Sequence, residues 1–382
     1  MKLSTEQQQL WDMLGRVGME KFRPQAFDRR FTEFARPSEN LRLLGELGVL
    51  GICMPEDVGG SQRPDIEGVL AIERISQACP VTGSFAVMAI GGPPIFIAKW
   101  GTDKQKRKYI PPILSGDASC SISLTEPEAG TDLAALATRA EIKGERCIIN
   151  GRKVFCSGAD SADFILVYVR FGKGTKGIGA VIVDRDTPGF VIGKKHHHFS
   201  GKPWCELYFD NAEIPRDNVL FDGDAFSNLM SSYSLERCAG AVHTLGVARI
   251  ALDLALEYAG SRTQFGRPIC EFQMTQARLA NMYMALEGAR LLLYKAVAEN
   301  EPGVAARLDS SVAMVAGVEA ASYVCEQAMN VFGGSGMSTD LPLEWLYRIA
   351  RSYWPAGGTS DIHRSMIAAE LLGRRFDQRK QG

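Results

Sequence analysis

Apolar residues recur three and four positions apart from residue 4 to about 115, and this period predicts a helical first third. In "PSENLRLLGELGVLGI" the leucines keep that spacing behind Pro37 and Ser38, which read as a helix start. "DIEGVLAIERISQACP" keeps it as far as Pro80. "PEDVGGSQRPD" and "GGPP" interrupt as loops. Past "SGDASCSIS" the chain changes to short β-branched and aromatic runs, among them "RCIING", "KVFCSG", "DFILVYVRF" and "IGAVIVD", parted by Gly, Asp, Asn and Pro. That texture predicts a mostly antiparallel β segment set between helices. Helical spacing returns from about residue 224 in long stretches. In "SLERCAGAVHTLGVARIALDLALEYAGSR" it runs through Leu235, Ala239, Val242, Leu245, Leu252, Leu256 and Ala259. Two further stretches of similar length follow after short connections, and such helices pack economically as an antiparallel bundle. The expected architecture is therefore α+β in three domains: a helical domain over 1–118, an antiparallel β domain over 119–223 and a helical bundle over 224–382.

Composition narrows the function classes. With 43 basic and 44 acidic residues, overall charge gives no reason to expect nucleic acid or an anionic membrane as a partner. Nine scattered cysteines without a C-x-x-C pair point to reduced thiols in the cytoplasm. The N-terminus lacks the apolar run of a signal peptide, and no stretch is expected to approach the roughly 20 apolar residues that cross a bilayer. A soluble protein without membrane insertion is the expectation. Three consecutive histidines, His196 to His198, stand on a predicted strand whose side chains alternate between faces, so they do not make a metal site.

Candidate chemistry begins at "SLTEPEAGTDL", residues 123–133. A Pro-Glu-Ala-Gly turn exposes backbone N–H groups beside the Thr125 and Thr131 hydroxyls, which suits a phosphate or the polar edge of a ring and equally suits a tight solvent turn. The choice turns on what accompanies it. "LTEPEAGTD", "NGRKVFCSGA", "SRTQFGRPICEFQ" and "NVFGGSGM" together resemble the motifs of the acyl-CoA dehydrogenase family, and "PEDVGG" and "GTDKQKRKYIPPILSG" fall where that family has them. The likeness runs in order from about residue 3 to 373.

The resemblance implies a helical domain, a β domain and a C-terminal four-helix bundle, with FAD held non-covalently and a homotetramer or dimer in which the neighbour completes each flavin site. It implies that Ile122, Leu124, Thr125, Gly130 and Thr131 line the flavin and its diphosphate. Phe155, where relatives often have tryptophan, would lie over the ring, and Cys156 and Ser157 beside it. Arg262, Gln264, Phe265 and Gln273 would contact the FAD of the adjacent protomer. Asn330, Val331, Gly333 and Gly334 would border its adenosine, and Thr359, Ser360 and Asp361 belong to the cofactor set. Two positions depart from the family: Asn330 replaces a glutamine, and Ile349 an aspartate.

The resemblance also separates two candidates for the base that removes the substrate α-proton. Many relatives carry a glutamate directly before Gly-Thr in the C-terminal loop, a slot filled here by Gly357 of "PAGGTSD". In the branch resembling isovaleryl and long-chain enzymes the glutamate sits on a bundle helix before an arginine, as do Glu236 and Arg237 in "SLERCAGAV". Glu236 is thus the expected base, and Gly357 keeps its backbone N–H for the thioester carbonyl. Thr131, Ser234, Arg237 and Gly358 are expected at the acyl-pantetheine. The implied activity is FAD-dependent α,β-desaturation of an acyl thioester, acyl-CoA or acyl-carrier-protein, with electron-transfer flavoprotein as partner. Beside it stand an enoyl-thioester reductase, a flavin oxidase and a flavin-binding scaffold that no longer turns over.

Overall fold

The computed structural model describes residues 2–32, 34–224, 226–298, 307–374 and 376; within 226–261 the side chains of 227 and 229–234 lie outside that description. The first helix, Thr5–Val17, is closed at its start by a capping box: Ser4 Oγ accepts from Gln7 N, and Gln7 Oε1 accepts from Ser4 N. Thr102 and Gln105 repeat the device ahead of Asp103–Tyr109. Pro80 does more than stop a helix. Asp65–Ala78 ends before it and Pro80–Gly91 begins on it, because a proline at the first helical position has no N–H to leave unpaired.

The β segment forms one eight-stranded sheet: β1 Cys120–Ser123, β2 Arg139–Lys143, β3 Arg146–Ser157, β4 Phe164–Arg170, β5 Ile178–Asp184, β6 Phe190–His197, β7 Pro203–Pro215 and β8 Val219–Phe221. Its order is β6-β7-β3-β2-β4-β5-β8, with β1 alongside β4. The pairings are antiparallel except that β1 and β2 each run parallel to β4, so the sheet is mostly antiparallel, as the sequence texture predicts, and mixed only around β4. The unbroken apolar run of β4 has a physical reason. Phe164, Leu166 and Tyr168 face the core shared with the helices, and Ile165, Val167 and Val169 face a second core inside the β layer.

The C-terminal helices Phe226–Ser261, Gln273–Ala298, Arg307–Phe332 and Ser360–Leu371 form the bundle, with Leu343–Ser352 leading into the last. Helix Phe226–Ser261, the longest, is its spine. Gly317 lets a neighbour approach it, since a Cβ there would come within 2.9 Å of Ala241 Cβ, and Gly91 does the same against Ala239 at 2.8 Å. Glu73 accepts from Arg290 Nε at 2.8 Å and from the Tyr294 hydroxyl, tying the first helical layer to the bundle.

Two apolar stretches, Pro80–Trp100 and Leu235–Ser261, are long and apolar enough to cross a membrane, contrary to the reading from sequence. They are 83% and 78% buried within the protein, so their apolar surface is spent on the core. The first is also broken into two helices at Gly92.

Candidate active site

Helix Phe226–Ser261 carries Glu236 to a point beside the turn 355–358 that precedes the last helix. A Cβ built on Gly357 would stand 3.3 Å from Glu236 Oε2 and 3.2 Å from Arg237 Cγ. Gly357 and Gly358 hold φ values of +61° and +109°, in the region that favours glycine. Arg237 Nε donates to Gly357 O at 2.9 Å, which fixes the turn against the helix. Successive helix residues point apart, and here the Glu236 carboxylate stands beside the Gly357 turn while its neighbour's guanidinium holds that turn.

Glu236 is half-buried, packed by protein on most sides. Burial pushes its carboxyl up to about 7, and the positive charges of Arg237 and Lys202 limit the rise. Its own charge reaches β4: burial and then Glu236 hold the Tyr168 phenol well above its usual range. His363 lies under the turn. Burial and then Arg237 bring its imidazole down to about 4, while the nearby Gly357 and Gly358 backbone pushes the other way. His363 is therefore neutral at physiological pH.

The flavin-associated residues divide into two groups. In the first, β1 delivers Ile122, half-buried, into Leu124 and Thr125, and Thr125 O accepts from Val154 N at 2.9 Å, so the turn is laced to β3. Phe155 has φ +57° and a ring 58% exposed, resting on Trp204 with centroids 4.5 Å apart. Trp204 in turn stacks on His196 at 4.1 Å. Ser157 Oγ meets His198 Nε2 at 3.4 Å. Cys156 differs from its neighbours: its side chain is turned into the β core and its Sγ donates to Ile122 O at 3.6 Å. Gly130 and Thr131 are exposed on the turn, and nothing lies within 4 Å of a Cβ on Gly130. Thr359 caps the last helix by accepting from Ile362 N at 3.3 Å, Asp361 is exposed, and the Ser360 hydroxyl is buried without a partner.

The second group stands elsewhere. Arg262, Gln264, Phe265 and Gln273 are exposed beyond the far end of the helix, Phe265 to 93%. Arg262 is 26 residues from Glu236, roughly 39 Å along a helix axis. Asn330, Val331, Gly333 and Gly334 share that end, where Phe332 stacks on Tyr258 at 4.0 Å. The side chain of Ser234 lies outside the described residues.

Two lysines at the site carried no signal in the sequence reading. Lys153 is fully buried and donates to Leu124 O at 2.8 Å and Glu126 Oε1 at 2.7 Å, while Glu126 also accepts from Ala137 N and Thr138 N. This pair anchors the "LTEP" turn. Burial brings the Lys153 ammonium down to about 8 against the pull of Glu126. Lys202 reaches from the β6–β7 turn to Ser84 Oγ at 2.9 Å. No pattern in "KKHHHFSGKPW" announces it; only the fold brings residue 202 to residue 84.

An exposed aromatic face with one side free, a strand edge leading into an open turn, and an unpartnered buried hydroxyl at the start of the last helix are what a planar, polar-edged ring with a diphosphate tail requires. The three acyl-CoA dehydrogenase domains account for nearly the whole chain: N-terminal over 4–117, middle over 121–212 and C-terminal over 223–372. The chain belongs to the acyl-CoA dehydrogenase family, FAD-dependent oxidoreductases acting on CH–CH bonds. It is 36% identical over 347 residues to an acyl-CoA dehydrogenase of Bacillus subtilis, covering 88% of this chain and 90% of that one. It is 35% identical over 343 residues to a 3-(aryl)acrylate reductase of Clostridium sporogenes, with the same coverages of 88% and 90%. Butyryl-CoA dehydrogenase from Megasphaera elsdenii superposes with a TM-score of 0.92 at 30% identity, over 97% of this chain and 99% of that one. The FAD complex of PigA gives 0.91 at 25% identity, over 98% and 100%.

Proposed function

We propose that Glu236 is the base that takes the α-proton from an acyl-CoA, with Gly357 N–H donating to the thioester carbonyl. FAD, when bound, supplies the acceptor for the hydride leaving the β-carbon. The observation that carries this reading is the convergence of the Glu236 carboxylate and the Gly357 turn: the loop lacks a carboxylate, and a carboxylate from the helix fills the space beside it. A base held near neutrality suits a weakly acidic α-proton, because it is ionised at working pH yet poorly solvated. The residues we assign to FAD are those of the first group for the copy's own flavin and those of the second for a neighbour's. Thr131, Ser234, Arg237 and Gly358 are assigned to the thioester arm, and the domain limits near residues 118 and 223 follow the change from helix to sheet and back.

The roughly 39 Å between Arg262 and Glu236 supports an oligomer, a tetramer built from dimers, in which the far end of one bundle serves another copy's cofactor. Exposed Phe265, Met274 and Met284 at that end are apolar surface suited to burial between copies. Electron-transfer flavoprotein is the acceptor we assign, and nine free thiols fit a cytoplasmic location. The test is anaerobic: on adding butyryl-CoA the wild-type flavin bleaches, and Glu236→Gln holds FAD without bleaching. Equal bleaching in both would remove Glu236 from the reaction.

A further inference from the structure

We propose that Lys202, with Ser84 and Tyr353, recognises a carboxylate or similar anionic group at the far end of a short acyl chain, which makes this enzyme selective for acyl-CoAs of the dicarboxylic kind. The inference rests on the acyl-CoA reading above and deepens it. Lys202 is delivered by a tight turn in which Gly201 N donates to His198 O and His198 N donates to Lys202 O, both at 2.9 Å. Its half-buried ammonium donates to Ser84 Oγ at 2.9 Å and lies 5.7 Å from the centre of the Tyr353 ring. Ser84 Oγ is in turn 3.4 Å from the Tyr353 hydroxyl. No carboxylate of the described residues comes within ion-pair distance of Lys202. An ammonium has three donors, and here one goes to a hydroxyl and the ring face covers another side, so with Glu236 beyond ion-pair distance a donor is left for an arriving anion.

Its position relative to Glu236 sets the size of that anion's carrier. Tyr353 packs on Gly240, where a Cβ would lie 3.6 Å from the ring, and Gly240 is one helical turn past Glu236, roughly 6 Å along the axis. Lys202 and Glu236 thus both border Tyr353 and Gly240 within about one helical turn, a spacing that suits a short acyl chain of about four to five carbons. The charge of Lys202 is felt by both neighbours on the same helix face: it lowers Glu236 and, after burial, His243, which sits at about 3 and is neutral. His243 Nδ1 is 2.9 Å from Ser76 Oγ, whose own hydrogen goes to Ile72 O, so the imidazole is held in one tautomer and does not compete for the anion.

The test compares butyryl-CoA, succinyl-CoA and glutaryl-CoA on the holoenzyme. With Glu236→Gln, which binds without turning over, titration of the flavin spectrum should give a Kd for succinyl-CoA or glutaryl-CoA about 10- to 100-fold below that for butyryl-CoA. Adding Lys202→Met should bring the three within about 3-fold, and Lys202→Arg should restore the order. In the active enzyme Lys202→Met should reverse the ranking of kcat/KM. Tighter butyryl-CoA in the parent protein would overturn the proposal, as would a ratio unmoved by Lys202→Met. A lysine that only ties the turn to helix Pro80–Gly91, or one that meets the coenzyme phosphates, would weaken all three thioesters alike and also overturn it. The binding ratio is read without turnover, so failure of Glu236 as base and failure of Lys202 as receptor give different results.

Discussion

Glu236 Oε2 lies 3.3 Å from the place a Cβ of residue 357 would occupy, although the two residues are 121 apart in sequence. A carboxylate can thus reach the same volume from the helix or from the loop, and this chain uses the helix. Gly357→Glu alone would place two carboxylates together and force a side chain into φ +61°. We expect it to cost about 1–3 kcal/mol of stability and to lower activity rather than add to it. In the background of Glu236→Gly the same substitution should recover part of the flavin bleaching, measured anaerobically with a reducing thioester. No recovery at all would mean that the shared volume is not where the proton is taken.

The pH dependence follows from a base raised to about 7. Glu236 must be ionised to act, so kcat/KM should rise through a midpoint near pH 7 and level above it. Arg237→Gln removes the larger of the two charges that restrain the rise, and the midpoint should move to higher pH. Because that substitution also releases Gly357 O, kcat should fall by about 10-fold or more. An unchanged midpoint would show that another group controls the profile.

Stability carries the opposite sign. A carboxyl whose folded value is raised favours the fold while it is protonated, below its unfolded value near 4.5, and that contribution is lost as pH climbs through about 7. Glu236→Gln should therefore leave stability unchanged near pH 4 and raise it at pH 8, by up to about 3 kcal/mol. Chemical denaturation at the two pH values reads this directly. A variant that is inactive yet more stable at pH 8 is the expected signature of a group kept for catalysis against the preference of the fold.

The architecture was legible because each domain obeys one period: the helices at three and four, the strands at two. β4 broke the alternation, and only its two cores explain why. The proposed base drew on "SLER" set against a loop with no carboxylate, two signals that had to be read together. Lys202 was invisible because its partner Ser84 is 118 residues away and a lysine in a turn has no pattern of its own. Cys156, named with the flavin residues, turned inward because the strand alternates and Phe155 took the outward place.

Lys153 and Glu126 give the last prediction. Both are buried, and Glu126 holds two backbone N–H groups besides the ammonium. Lys153→Met removes one charge and leaves the other in place without compensation, a change that costs about 3–5 kcal/mol. It also frees Leu124 O, the neighbour of the Thr125 carbonyl laced to β3, so the turn assigned to the flavin edge should loosen. Purified Lys153→Met should retain less FAD than wild type at equal protein concentration, and added FAD should restore it. Glu126→Gln keeps an acceptor for Thr138 N and the Lys153 ammonium but turns its amide NH2 toward Ala137 N, so it should lower both stability and FAD content as well. If Lys153→Met lost stability but held FAD as tightly as wild type, the pair would serve the β domain alone and the turn would be set by other contacts.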